Sequence, residues 1–172
     1  MTSEAAVVGS AISQGPYRFR LTRQWGPESE FTGSTLLPFC MLNPSTADAS
    51  VDDPTIRRCM GFARREGMNG ITVVNLMAYR TSNPFSLPPD ELAGGPGNFE
   101  HIGEVAETAG YLVAAWGSHP RAAPWASALL FAMRAEGIPV LCLGHTKAGA
   151  PRHPLYVRGD QPLIPYASGG EL

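Results

Sequence analysis

A chain of 172 residues, 44% hydrophobic and 16% charged, carries enough apolar side chain for one ordinary core and needs no disulfide or metal staple to fold. Its 13 basic residues against 15 acidic ones, a net charge of −2, exclude a polybasic protein that coats nucleic acid, though not a local basic groove. Nineteen Gly and sixteen Pro make it loop-rich but short of the ~25–30% that marks low complexity.

Residues 1–15 read as a flexible tail. From Tyr17 the pattern alternates, with Tyr17, Phe19 and Leu21 on one face and Arg18, Arg20 and Thr22 on the other, as in a half-buried edge strand. The continuous apolar run 36–42 predicts a strand covered on both faces, and its Pro38 argues for an edge position or a bulge. Segment 52–67 has complete helix punctuation: Asp53 to cap, Pro54 at the first position, Gly67 to close. Ile56, Cys59, Met60 and Ala63 follow the helical period toward a core, with Arg57, Arg58, Arg64 and Arg65 mostly opposite. A second buried strand follows at 71–76, then a Pro-rich loop at 83–97 and a helix at 98–109. A third strand spans 111–116, a helix 122–136, and a fourth strand 138–144. Trp116, Trp125 and Phe131 read as core residues.

Strands alternating with helices predict βαβ units. The expected fold is a three-layer α/β/α sandwich around a four-stranded, mainly parallel sheet with an N-terminal edge strand. One domain is expected over 16–166, with a short tail at 167–172. Cys40, Cys59 and Cys142 have no C-x-x-C spacing and suit a reducing compartment. No basic leader and no run of roughly 18 apolar residues is present, so a cytoplasmic protein with no membrane partner is expected.

Each buried strand ends in a small polar segment: Asn43 to Asp48, then Asn75 with Tyr79 and Arg80, then Trp116 to His119, then Gly144 to Lys147. A parallel sheet lines these ends along one edge, where open α/β folds bind ligands. The set offers amides and imidazoles for neutral polar edges and cations for phosphate. Segment 144–158 adds His145, Lys147 (the single lysine), Arg152, His153, Tyr156 and Arg158. A loop this cationic suits an anionic partner or a developing anion.

Several chemistries are not expected. His145 and His153 lack zinc-ligand spacing, and Asp48, Asp52 and Asp53 make a weak case for Mg²⁺, so no metal is assigned. The glycines at 94–97 match neither a dinucleotide nor a Walker loop, and no cofactor is implied. Ser34 and Ser45 lack a nucleophile elbow.

The segments MLNPSTADASVDDPTIRRC, VVNLMAYR, AAWG and PRHPLYV resemble DUF1643, a family of bacterial and phage proteins of unknown function, over about residues 17–165. The order and content are more distantly similar to the uracil-DNA glycosylase superfamily. Its Asn-Pro motif after the first strand matches Asn43-Pro44, its Asn at the end of a later strand matches Asn75, and its terminal His-Pro matches His153-Pro154. This resemblance implies a glycosylase-like fold. It implies that Asn43 positions the water attacking the sugar, His153 donates to the departing base, and Asn75 reads the edge of a flipped base. Phe62, Tyr79 or Tyr156 would stack on it. Pro44, Ser45, Tyr79, Arg80, Lys147, Arg152 and Tyr156 complete the expected binding set. Asp48, which has no counterpart in that motif, either activates water or caps a turn. Met41 and Ser45 depart from the glycosylase pattern. The expected partner is nucleic acid or a nucleotide. Three readings stand: hydrolysis of a base–sugar bond in DNA, hydrolysis or transfer on a free nucleoside or nucleotide, and a binding protein without catalysis.

Overall fold

The computed structural model describes residues 6–30 and 32–166. Seven strands form one sheet: β1 (Val8–Gln14), β2 (Tyr17–Gln24), β3 (Leu36–Met41), β4 (Gly70–Asn75), β5 (Leu112–Ala114), β6 (Val140–Cys142) and β7 (Ile164–Pro165). Their order is β1-β2-β4-β3-β5-β6-β7. The four central strands, β4-β3-β5-β6, run parallel, and β1, β2 and β7 add antiparallel edges. Helices α1 (Pro54–Arg65), α3 (Asn98–Ala109) and α4 (Ala122–Ala135) are the parallel crossovers, and α2 (Asp90–Ala93) is a single turn within the Pro-rich loop. The helices cover both faces. Ile56, Cys59, Phe62 and Ala63 of α1 pack against Leu37, Phe39, Ile71 and Val73. On the other face Ile102 and Val105 of α3 and Leu129 and Met133 of α4 meet Cys40, Val74 and Ala114. Each large side chain fully buried in this way contributes about 1.5–3 kcal/mol.

Three expectations change. Residues 8–14 are not tail but β1, joined to β2 by the two-residue turn Gly15-Pro16. Gly15 has φ of +55°, the sign a II′-type hairpin asks of its first turn residue. Residues 1–5, and the tail expected at 167–172, lie outside the described residues. Pro38 sits in a central strand, not at an edge or bulge. Cys40 O accepts from Ala115 N, so alternate residues, Pro38 included, point their backbone polar groups toward β5. The β5 ladder begins only at Phe39↔Val113, so the N–H that proline lacks has no partner there to lose. Phe131 lies on the outer face of α4 and is 78% exposed, because the buried stripe runs through Ala122, Ala126, Leu129 and Met133.

A bulge in β2 decides which arginine enters the interior. The pairing steps from Ile12↔Arg20 to Ser13↔Arg18 and leaves Phe19 unpaired. An extra residue reverses which face the following side chains take. Arg18 therefore joins Leu21 and Arg23 on the α1 side, while Phe19 stacks on His101 of α3 at 5.0 Å. The simple alternation read from sequence placed Arg18 outside; it is 2% exposed.

Arg23 is equally buried but fully partnered. Its Nε donates to Asp52 Oδ1 at 2.7 Å, and its other nitrogens meet the carbonyls of Thr22, Asp48 and Val51. Asp52→Asn should cost about 2 kcal/mol, because it strips the ion-pair partner from a desolvated guanidinium. Urea unfolding should show the midpoint falling with an unchanged m-value.

Candidate functional site

Strand β3 leads through α1 to β4 on one side, and β5 leads through α4 to β6 on the other. The chain thus departs in opposite directions from the ends of β3 and β5, and such a switch point leaves a crevice beyond the strand ends. A cleft of about 640 Å³ occupies that position, within the range of small-molecule sites. Its walls are the loop after β3, the N-terminus of α1, the Thr81–Phe85 segment, the Trp116–Pro120 loop and the turn at His153–Tyr156.

Asn43 leaves β3 directly into this cleft. Its Nδ2 donates to Pro44 O and Thr81 O, both at 2.9 Å. Two carbonyl partners fix which end is nitrogen, and Oδ1 remains the atom with which Asn43 meets a ligand. The loop behind it is latched by Arg80, whose guanidinium donates to the carbonyls of Ser45, Thr46 and Ala47.

His153 caps the 154–156 turn: Nδ1 accepts from Leu155 N at 3.3 Å. The ring proton therefore belongs on Nε2, which is free to donate into the cleft. Arg58 of α1 holds this turn through Pro154 O and Val157 O. Gly117 N–H donates to Pro151 O at 3.0 Å, which ties the β5 loop to the same segment. The turn at Gly117 requires its φ of +73°, which a side chain would resist. Burial pushes the His153 imidazole below its ordinary value, with the Asp53 carboxylate opposing.

Asp53 is the carboxylate of the cleft. Its Oδ1 caps α1 by accepting from Ile56 N at 2.8 Å. His119 lines the opposite wall with Nδ1 accepting from Arg121 N at 3.2 Å, and its Nε2 is buried without a partner. Phe85, 82% exposed, leans on the His119 ring at 4.8 Å, and Tyr156, 78% exposed, lies 5.8 Å from the His153 ring. Two accessible aromatics thus flank the mouth.

Of the residues expected from sequence, Asn43, Ser45, His153 and Tyr156 line the cleft. Pro44 is buried beside it, its carbonyl taken by Asn43 Nδ2 and by Thr81 N. Asn75 lies beneath the floor: it pairs in register with Met41, which lines the cleft, and is 1% exposed with both side-chain polar atoms unpartnered. Asp48 does not reach the cleft. Its Oδ1 accepts from Ser50 N and Val51 N, both at 2.8 Å, and these bonds hold its carboxyl below the usual range. Of the two roles open to it, the turn cap is the one its bonds match.

Tyr79 packs on Tyr17 at 6.0 Å, Arg80 serves the loop backbone, and Arg152 donates to His145 O. Lys147 sits exposed at a turn tip outside the lining. Phe62 is buried between Arg58 and Arg65, unavailable for stacking. Sequence reasoning missed Asp53 as a site residue because its capping role explained it, and missed Phe85 because it sits in a Pro-rich loop. Among the described residues no group of three His, Cys, Asp or Glu is placed to hold a metal ion, and no helix is long and apolar enough to cross a membrane.

The two cleft histidines also couple stability to pH. Burial lowers the His119 pKa as well, with Arg121 adding to the shift. Both histidines thus bind a proton less readily folded than unfolded. Their contribution is fully present above the ordinary value of 6.5 and is lost as pH falls from there through the depressed folded values. Stability should therefore drop below about pH 6.5, and replacing both with Gln should flatten that limb of a Tm–pH profile.

No curated protein and no solved structure matches the chain. A family model described as a protein of unknown function does match, over residues 18–155. That span runs from the buried arginine of β2 to the His153 turn and contains every wall of the cleft except Tyr156. The chain belongs to the DUF1643 family.

Proposed function

We propose that the cleft hydrolyses the N-glycosidic bond of a nucleotide-sized substrate. The observation that carries this reading is the meeting of Asn43, Asp53 and His153 in one crevice at the switch point. Breaking a base–sugar bond creates positive charge on the sugar and negative charge on the departing base. A carboxylate and an imidazole N–H in one cleft answer those two charges. Asn43 Oδ1, its amide held by two carbonyls, accepts from the attacking water and orients it. The water oxygen bonds to C1′ while the C1′–N bond breaks, its electron pair leaving with the base. His153 Nε2–H donates to the base as it becomes anionic. Asp53 faces the cationic sugar and receives the water proton, which the released base finally takes up. The four parallel strands in the spatial order β4-β3-β5-β6, with Asn43 after β3, Asn75 closing β4 and His153 after β6, accord with a uracil-DNA-glycosylase-like arrangement.

A free nucleotide is the substrate form favoured by the placement of charge. Arg57, Arg58, Arg64, Arg80, Lys147, Arg152 and Arg158 would form a basic rim for a duplex, but none lines the cleft. Arg58 and Arg80 hold loop carbonyls, Arg64 lies 4.4 Å over Trp25, and Arg158 pairs with Asp160. One observation favours a base in DNA instead: Phe85, Leu155 and Tyr156 are exposed apolar groups at the mouth, suited to wedging or stacking. Base release from nucleoside monophosphates, compared with single- and double-stranded oligonucleotides, decides between them. Faster release from the free nucleotide supports the first form, and release confined to oligonucleotides supports the second.

A further inference from the structure

Two arginines are buried on the α1 side of β2, and their treatment differs. Arg23 has a carboxylate and three carbonyls. Arg18 has one partner: Nη1 donates to Ala47 O at 2.6 Å. Among the described residues no carboxylate forms an ion pair with it. Its Nε is buried with no partner at all, and no described residue accepts from Nη2. These two nitrogens form the side fork of a guanidinium. Elsewhere in the molecule Arg158 uses the same fork, Nε and Nη2, to grip both oxygens of Asp160 at 3.1 and 2.9 Å. Arg18 lines the cleft, so its guanidinium borders the site although its Nε is buried.

The surroundings leave the charge under-compensated. Burial lowers the Arg18 pKa to about 10, with Arg80 pushing the same way and Asp53 and Asp48 only partly offsetting them. Leaving a buried fork unpaired costs free energy that an apolar side chain would avoid. A bidentate oxyanion removes that cost. Alongside Arg18 the cleft also presents the first turn of α1, through Pro54, Thr55 and Ile56, whose end already carries the capping carboxylate of Asp53.

We infer that Arg18 is the anchor of an oxyanion subsite in the cleft and that the group it takes is a phosphate monoester. This deepens the proposed function, since it makes the substrate a nucleoside monophosphate and not a nucleoside. It is tested by binding, separately from bond cleavage. Inorganic phosphate is titrated into the full chain by calorimetry and by thermal shift, against potassium chloride at matched ionic strength and against acetate. Phosphate should raise the melting temperature in a saturable way that chloride and acetate do not. Arg18→Lys, which keeps the charge and loses the fork, should weaken phosphate binding on the order of tenfold or more. Arg18→Met should abolish it. If either variant fails to fold, the wild-type comparison of phosphate with chloride still decides. The inference is overturned if phosphate stabilises no more than chloride, if acetate does as well as phosphate, or if Arg18→Lys binds phosphate with unchanged affinity. Phosphate binding without base release would overturn the glycosidic reading and leave the subsite standing; base release that is indifferent to Arg18→Lys and to the 5′-phosphate would do the reverse.

Discussion

Replacing Asp53 by Asn should reduce base release on the order of 10²–10³-fold while leaving the melting temperature nearly unchanged. The two expectations come from two roles of one side chain. As the N-cap of α1, Asp53 offers Oδ1 to Ile56 N, and an Asn oxygen caps equally well. As a carboxylate lining the cleft, it supplies the negative charge that the proposed hydrolysis sets toward the sugar, and an amide supplies none. Asp53→Ala removes both roles and should add a stability loss of about 1 kcal/mol. A parallel Asp48→Asn should leave base release intact, because that carboxylate only closes the turn to Ser50 and Val51. Steady-state rates and thermal melts on the three variants check the scheme. Equal activity for Asp53→Asn and wild type would remove Asp53 from the chemistry.

Asn75→Leu should stabilise the fold by about 1–2 kcal/mol. Both polar atoms of the Asn75 amide are buried without partners. Its neighbours on that face of β4 are Ile71 and Val73. Leu is similar in size and carries no polar atom to desolvate, so the substitution removes a penalty and creates little cavity. Chemical denaturation measures the effect. A destabilised Asn75→Leu would show that the amide serves the fold.

The architecture was legible where local chemistry and tertiary packing agree. The Asp53-Pro54 start and Gly67 stop bracket α1 as expected, and the apolar runs at 36–42 and 71–76 are central parallel strands. It was illegible where one residue changes parity. The bulge at Phe19 leaves no mark in composition, yet it decides that Arg18 faces the cleft and Arg20 faces Glu104. In the cleft, motifs after the strand ends led to Asn43 and His153, both of which line it. They could not tell a loop cation that meets ligand from one that meets a carbonyl. Arg80 and Arg152 looked like ligand contacts and are spent on backbone oxygens. Asp48 and Asp53, five residues apart, differ only in which way the loop turns them.

The near-neutral net charge of −2 sits beside a cleft lined by one carboxylate, Asp53, and one guanidinium, Arg18, among the described residues. Incubating the protein with nucleoside monophosphates and following free base by chromatography tests the proposed hydrolysis most directly. Base and reducing sugar should appear in equal amounts. His153→Ala should slow the reaction by roughly 10²-fold or more with the melting temperature nearly unchanged. Tight binding of the nucleotides with no base released, from them or from oligonucleotides, would contradict hydrolysis and make the cleft a binding site alone.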